Sequence, residues 1–249
     1  MGSVLGKCFK RSRFIFRLNS SPLFVFLDRF QNVLCNFWDR LVAVDYFAEI
    51  VYSFVMNSQV VVFFGRSGCG KGTQAKLLVD FLKSQKKEVL YTETGSLFRE
   101  FIKGDNFSST LAGNILKEGA LIPVFLPIWL WTKTLVENFS GKEDLVFDGV
   151  CRRREESIAL DSAFDFYKIE NLNIILINVS ENWSYIRMME RKRADDTPEK
   201  IQNRLDWYER DVVPSIEYFR KKDGYNFIEI NGEQSIEKVH EDIIAALKL

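Results

Sequence analysis

A glycine-rich loop between an uncharged strand and a helix is the feature that most constrains how this chain can fold. The run Val60–Phe64 holds only β-branched and aromatic residues, as expected of a strand buried on both faces of a parallel sheet. The sequence GRSGCGKGT follows at once over Gly65–Thr73 and fits the pattern G-x-x-x-x-G-K. A helix is predicted directly after it, over Gly70–Ser84.

This loop predicts a site for the phosphates of a nucleoside triphosphate. Glycines let successive backbone N–H groups point at one phosphate, and the start of the helix adds its positive end. Lys71 is long enough to reach the β- and γ-phosphates. We expect the side chain of Cys69 to point away from the nucleotide. The predicted contacts in the loop are Gly68, Cys69, Gly70, Lys71, Gly72 and Thr73.

Strands and helices alternate from the loop to the end of the chain. Further strands are predicted over Glu88–Tyr91, Asp144–Asp148, Asn173–Val179 and Asn226–Ile230. Helices are predicted over Leu97–Lys103, Ser109–Glu118, Leu126–Asn138, Arg153–Ala163, Trp183–Glu190 and Pro198–Lys221, with a last one after Ser235. This alternation predicts an α/β fold of the P-loop NTPase type, a doubly wound five-stranded parallel sheet with helices on both faces.

The carboxylate of Asp148 is predicted to lie beside the loop. Asp148 closes a strand parallel to Val60–Phe64, so the two strands should end at the same edge of the sheet. Carboxylate and hydroxyl oxygens are ligands that Mg²⁺ prefers. We therefore expect Mg²⁺ to be held by Thr73 and by Asp148, partly through water.

Residues 1–55 differ from the remainder and are predicted to form an N-terminal extension, so that a second domain covers residues 56–249. Residues 1–20 carry five basic residues and no acid, and a 4-3 spacing of apolar residues from Leu23 to Val55 indicates an amphipathic helix. Three interpretations stay open. The extension docks on the core or on a partner protein, it lies on a membrane surface, or it is not part of the native core because translation starts at Met56.

Composition excludes several classes of protein. The 34 Lys and Arg balance 34 Asp and Glu, which argues against a chain whose whole surface binds nucleic acid. A single His240, expected to be half-exposed on the last helix, removes mechanisms that need two imidazoles. The four cysteines contain no C-x-x-C, so we expect no zinc and a reducing, cytoplasmic location. Trp129 and Trp131 are expected to pack in the core.

Six separated motifs, in this order, resemble those of the adenylate kinase family, a branch of the nucleoside monophosphate kinases. The resemblance covers residues 58–249, and the one residue between Arg191 and Arg193 makes this a short-lid form, with the lid at about 191–196. The motifs are Lys71-Gly72-Thr73-Gln74, Thr94–Arg99, Gly119–Pro123, Phe147–Arg152, Arg187 with Arg191, and Arg193–Asp196 followed by Arg204.

The resemblance implies transfer of the γ-phosphoryl group of ATP to a nucleoside monophosphate, most simply AMP. It implies that Arg187 and Arg191 lie against ATP and that the acceptor region spans about residues 94–123. The residues it assigns to the monophosphate are Thr94, Arg99, Leu121, Ile122, Gly149, Arg152, Glu156, Arg193 and Arg204. Those it assigns to catalysis are Lys71, Arg152, Arg193 and Arg204.

Elementary chemistry agrees with an arginine-rich site, because phosphoryl transfer between polyanions needs fixed positive donors and no general base. The chain departs from the family at Glu156, where a Gln usually reads adenine, and at Ser96 and Val150-Cys151. A carboxylate there suits a guanine edge better, so GMP, CMP or UMP remain alternative acceptors. Another alternative is a non-catalytic ATP-binding protein tethered through its N-terminal helix. We expect a monomer.

Overall fold

The computed structural model describes residues 58–191 and 197–249. The extension predicted at residues 1–55 lies outside this part of the chain, as do Arg193 and most of the predicted lid. Five strands form one sheet in the order β2-β3-β1-β4-β5, and every neighbouring pair is parallel. The strands are β1 Gln59–Phe64, β2 Val89–Glu93, β3 Asp144–Asp148, β4 Asn171–Asn178 and β5 Tyr225–Asn231.

Helices connect the strands and cover both faces of the sheet, which confirms the doubly wound α/β fold. A π-helical turn, Tyr208–Val212, joins two of them. The helices are α1 Lys71–Ser84, α2 Thr94–Phe101, α3 Phe107–Lys117, α4 Phe125–Asn138, α5 Arg154–Tyr167, α6 Glu181–Glu190, α7 Pro198–Trp207, α8 Val213–Arg220 and α9 Ile236–Leu247.

Two hydrophobic cores lie on opposite faces of the sheet because side chains alternate along each strand. Val60, Val62 and Phe64 of β1 belong to the core that contains Trp131 and Phe164. Val61 and Phe63 belong to the other core, which contains Leu78 of α1 and Ile243 of α9. A smaller cluster, with Phe98, Ile122 and Leu126 among its members, holds α2, α3 and α4 together.

Most element bounds shift by a few residues from the sequence-based expectation, and two differences affect the site. The helix expected to begin at Leu97 begins at Thr94, directly after β2. The prediction began it too late because Thr94, Gly95 and Ser96 are weak helix formers. The prediction of one continuous helix over Pro198–Lys221 is wrong, since α7 and α8 are separated by the π-helical turn. Pro214 explains the interruption, because proline lacks the N–H that would bond one turn back and its ring collides with that carbonyl.

The two tryptophans of α4 have different environments. Trp131 is fully buried, as predicted. The prediction that Trp129 packs in the core is wrong, since it is 47% exposed, with the ring of Phe101 packed edge-on against it. No helix in the described ranges is long and apolar enough to cross a membrane.

Candidate active site

The glycine-rich loop is held in its curled shape by three glycines with positive φ. Gly65, Gly68 and Gly70 have φ values of 143°, 87° and 95°. A side chain on Gly65 would place its Cβ 2.5 Å from the carbonyl oxygen of Ile177, and one on Gly68 would come within 2.9 Å of the carbonyl oxygen of Ser184. The loop therefore lies in backbone contact with β4 on one side and α6 on the other.

Lys71, the first residue of α1, lies over this loop. Its Nζ donates hydrogen bonds to the carbonyl oxygens of Gly65 at 2.9 Å and of Arg66 at 3.0 Å. Cys69 is buried, with its Sγ 3.9 Å from the same Nζ, and burial raises the pKa of its thiol. The side chain of Cys69 thus belongs to the core below the loop, and the ammonium group of Lys71 lies at the loop itself.

Asp148 emerges beside the loop, as its position on β3 predicts. β1 and β3 pair in register, with Phe63 opposite Asp148. A Cβ on Gly72 would lie 3.0 Å from Oδ2 of Asp148, so this carboxylate faces the first turn of α1, where the exposed Thr73 follows. Burial raises the pKa of Asp148, while the charge of Lys71 acts against that increase.

Arg152 meets Lys71 in one cavity. The backbone turns sharply before it, since Cys151 has a φ of 58°, in the left-handed region. Nε of Arg152 donates to the carbonyl oxygen of Gly149 at 3.2 Å, and its Cζ lies 5.8 Å from the centre of the Trp207 ring. The cavity is lined by Phe63, Phe64, Gly65, Ser67, Lys71, Gly149, Val150, Arg152, Trp207 and Val212.

Glu156 lies in the first turn of α5, outside the set of residues that line this cavity. Its side chain is 2% exposed, and its Oε2 is buried without a hydrogen-bond partner. Burial raises the pKa of Glu156 to about 7, with the positive charge of Arg152 opposing the increase. Burial also lowers the pKa of Arg152, and the carboxylates of Glu156 and Asp148 act in the opposite direction.

The other residues predicted for the monophosphate come from α2 and the loop before α4. Thr94 is buried, and its Oγ1 has no hydrogen-bond partner. Nη2 of Arg99 donates to Oε1 of Glu93 at 2.7 Å. Ile122 is buried in the small cluster with Phe98, whereas Leu121 is half-buried.

The arginines predicted for ATP lie on or beside α6. A Cβ on Gly68 would lie 3.6 Å from Cβ of Arg187, so this arginine adjoins the loop. Its guanidinium stacks on Trp183, with Cζ 4.9 Å from the ring centre, and pairs with Glu190 at 3.5 Å. Arg191 caps α6. Arg204 lies on α7, close enough for its charge to lower the pKa of Arg152.

Three of the side chains that the sequence reasoning missed bear on the chemistry of this site. Trp207 lines the cavity, and its position three residues after Arg204 on one helix was the available signal. Tyr91 and Glu93 lie on β2, with Glu93 opposite Asp148 in the β2–β3 register, and the Tyr91 hydroxyl donates to Oδ2 of Asp148 at 3.4 Å. Their proximity follows from β2 lying next to β3.

The family model described as adenylate kinase matches residues 63–224, which include the loop, Asp148, Arg152 and Arg204. The chain belongs to the adenylate kinase family. A similar relative is the adenylate kinase of Azobacteroides pseudotrichonymphae, 32% identical over 188 residues that cover 73% of this chain and 93% of the relative. Adenylate kinase 1 of Nostoc sp. is 28% identical over 187 residues, which cover 75% of this chain and 97% of the relative.

A third relative, the adenylate kinase of a Mycobacterium species, is 34% identical over 167 residues, covering 64% of this chain and 85% of the relative. Membership of the adenylate kinase family makes this chain a nucleoside monophosphate kinase that uses ATP. The non-catalytic alternative is therefore set aside.

Proposed function

We propose that this kinase transfers the γ-phosphoryl group of ATP to AMP, forming two ADP. The observation that carries this proposal is the shared cavity of Lys71 and Arg152. Lys71 belongs to the loop at the end of β1, and Arg152 belongs to the turn after β3, so two different elements bring positive charges to one place. A phosphoryl group passing between two phosphate chains needs this arrangement of donors.

The chain's own residues act by binding and orientation. Lys71 and the loop N–H groups hold the β- and γ-phosphates of ATP, with Arg187 and Arg191 against the nucleotide. Thr94, Arg99 and Arg152 hold the phosphate of the acceptor nucleotide. Leu121, Ile122 and Gly149 line the base and sugar of that nucleotide. Arg204, with Arg193 outside the described residues, neutralises charge on the transferring group. No side chain removes a proton, because the acceptor phosphate is already an anion.

Thr73 and Asp148 fit Mg²⁺. The pair offers a hydroxyl and a carboxylate, both hard oxygen donors, and burial has removed much of the water from the carboxylate. Mg²⁺ held there would neutralise negative charge on the phosphates of ATP.

Chelation with EDTA should abolish turnover and added Mg²⁺ should restore it, while Asp148→Asn should raise the Mg²⁺ concentration needed for half-maximal turnover.

The test of the proposed function is ADP formation from ATP with each of AMP, GMP, CMP, UMP and dTMP. Lys71→Ala should lose turnover, and Lys76→Ala, which removes an exposed lysine of the same helix, should retain it. ATP binding without turnover on any of the five monophosphates would contradict the proposal.

Arg204→Ala should reduce turnover far more than ATP binding, because the positive charge of Arg204 acts on the transferring group. Equal losses of turnover and of ATP binding would instead place Arg204 against ATP alone.

A second acceptor, GMP, is favoured by one observation. Glu156 is buried with an unpartnered Oε2, and an ionised carboxylate accepts from the two N–H groups on the edge of guanine. Glu156→Gln should then raise the preference for AMP over GMP. An unchanged ratio would remove Glu156 from recognition of the base.

A further inference from the structure

We propose that Glu93 belongs to the acceptor-phosphate site, where its carboxylate holds the guanidinium of Arg99 and is displaced by the incoming phosphate. The inference rests on the proposed function, which assigns Arg99 to the monophosphate. Glu93 would compete with the acceptor phosphate for Arg99 and so lower the affinity for the acceptor.

The contact between the two side chains is direct and unobstructed. Nη2 of Arg99 lies 2.7 Å from Oε1 of Glu93, and the two side chains are 57% and 21% exposed. Gly95 lies between them in sequence. A Cβ there would be 3.1 Å from Nη1 of Arg99 and 3.5 Å from Oε1 of Glu93, so the missing side chain leaves the path of the ion pair open.

Glu93 also stands among the charges of the site. It is the last residue of β2 and pairs in register with Asp148 at the end of β3. Burial raises the pKa of Asp148 and of Tyr91, and the negative charge of Glu93 adds to both increases; the same charge favours the protonated form of Arg152. A residue coupled to these three groups and bonded to Arg99 is part of the same electrostatic unit.

Competition follows from the chemistry of the partners. Carboxylate and phosphate oxygens seek the same guanidinium N–H groups, and both carry negative charge. A phosphate that binds Arg99 through Nη2 competes with Glu93 for that nitrogen, and one that binds through the other N–H groups still lies close to the Glu93 carboxylate. Both effects weaken binding of the acceptor phosphate.

Glu93→Gln tests this inference because it keeps the shape of the side chain and removes its charge. Glu100→Gln is the matched control, since Glu100 follows Arg99 on α2 and its carboxylate pairs with the exposed Lys103 in the described hydrogen bonds, at 2.6 Å. Titration calorimetry on the full chain measures AMP binding without ATP. Steady-state kinetics measure the KM for AMP and the KM for ATP.

We expect Glu93→Gln to tighten AMP binding and to lower the KM for AMP by about fivefold, the upper range for a partly exposed ion pair. The KM for ATP should change less than twofold, and Glu100→Gln should change neither constant. Unchanged or weaker AMP binding by Glu93→Gln would overturn the inference, and so would an equal gain with Glu100→Gln.

Inorganic phosphate separates this inference from the proposed function. If no monophosphate supports turnover, the proposed function fails, yet Glu93→Gln should still bind inorganic phosphate more tightly than the wild-type chain. A kinase that turns over AMP normally while phosphate affinity is equal in wild type and Glu93→Gln would leave the function intact and the inference refuted.

Discussion

Arg152 is positioned by two contacts of different kinds. The carbonyl of Gly149 accepts from its Nε, and the ring of Trp207 faces its Cζ at 5.8 Å. A guanidinium over an aromatic ring is stabilised by the negative face of that ring. Trp207→Leu should therefore lower kcat/KM for the monophosphate by about fivefold, and Trp207→Phe, which keeps an aromatic face, should stay within twofold.

Trp129 provides the control for this experiment. It is half-exposed on α4, and Lys133 Nζ lies 5.7 Å from its ring centre, so Trp129→Leu removes a comparable contact outside the cavity. Both variants should keep a native melting temperature within a few degrees. A similar loss of kcat/KM in Trp129→Leu would show that the loss in Trp207→Leu does not come from its contact with Arg152.

Glu156 should make the choice of acceptor depend on pH. Its pKa is raised to about 7 by burial, so the side chain changes from mostly protonated to mostly ionised between pH 6 and pH 8. The charges that act on it come from Arg152 and Arg153. The protonated acid offers one donor and one acceptor, as the adenine edge requires, whereas the ionised form offers only acceptors and suits guanine.

The ratio of kcat/KM for AMP to that for GMP should therefore fall from pH 6 to pH 8, by up to about a hundredfold if each acceptor requires its own form of the side chain. Titration of the phosphates affects both acceptors alike and cancels in the ratio. Glu156→Gln should show a ratio that is independent of pH and higher for AMP at pH 8. A wild-type ratio that stays constant over this range would contradict the prediction.

Some residues of the site could be located from short sequence motifs, and others could not. Lys71, Asp148 and Arg152 belong to short motifs whose spacing places them at strand ends, so the sequence predicted where they lie. Glu93 and Trp207 could not be found in that way. The place of Glu93 depends on β2 lying beside β3, and Trp207 faces the cavity from a helix that ends in a π-helical turn.

Among the elements, the turn from β1 into α1 is constrained at two glycines for different reasons. Gly65 and Gly70 both have positive φ, but their surroundings differ. A Cβ on Gly70 would have no neighbour within 4 Å, whereas one on Gly65 would lie 2.5 Å from a backbone oxygen and 2.6 Å from Sγ of Cys69. Gly70 thus needs only its conformational freedom, and Gly65 needs both freedom and space.

Gly70→Ala should lower the free energy of unfolding by about 1 kcal/mol, the cost of a left-handed backbone for alanine. Gly65→Ala should cost at least about 3 kcal/mol, because the strand end or the loop must also move. Denaturant unfolding of the two variants measures the difference. Equal losses would mean that β4 yields easily at Ile177.

Strands were easier to predict than the helix that supports the site. β3 has the predicted bounds, since a short apolar run that ends in Asp148 and is followed by Gly149 is consistent with a buried strand and too short for a typical helix. The segment after Thr197 has an apolar period that continues through Pro214, so the pattern gave one long helix. Local hydrogen bonding around the proline, which no periodicity reports, produced the π-helical turn instead.

At the scale of the whole molecule, the described part of the chain supplies helices for both faces of its own sheet. One face is covered by α4, α5 and α8, which contribute Trp131, Phe164 and Phe219. The other face is covered by α1 and α9. The charge differs between the two parts of the sequence. Residues 1–55 hold seven Lys and Arg and four Asp and Glu, whereas residues 56–249 hold 27 Lys and Arg and 30 Asp and Glu.

A chain that starts at Met56 should therefore fold and catalyse without the N-terminal extension. Its melting temperature should lie within about 3 °C of that of the full chain, because the shorter chain keeps the residues of both hydrophobic cores. Its kcat and its KM for ATP and AMP should change less than twofold. The comparison needs both chains, purified alike and assayed by ADP formation and thermal unfolding. Aggregation of the shorter chain, or a melting temperature lower by 10 °C or more, would show that the extension covers part of the kinase domain.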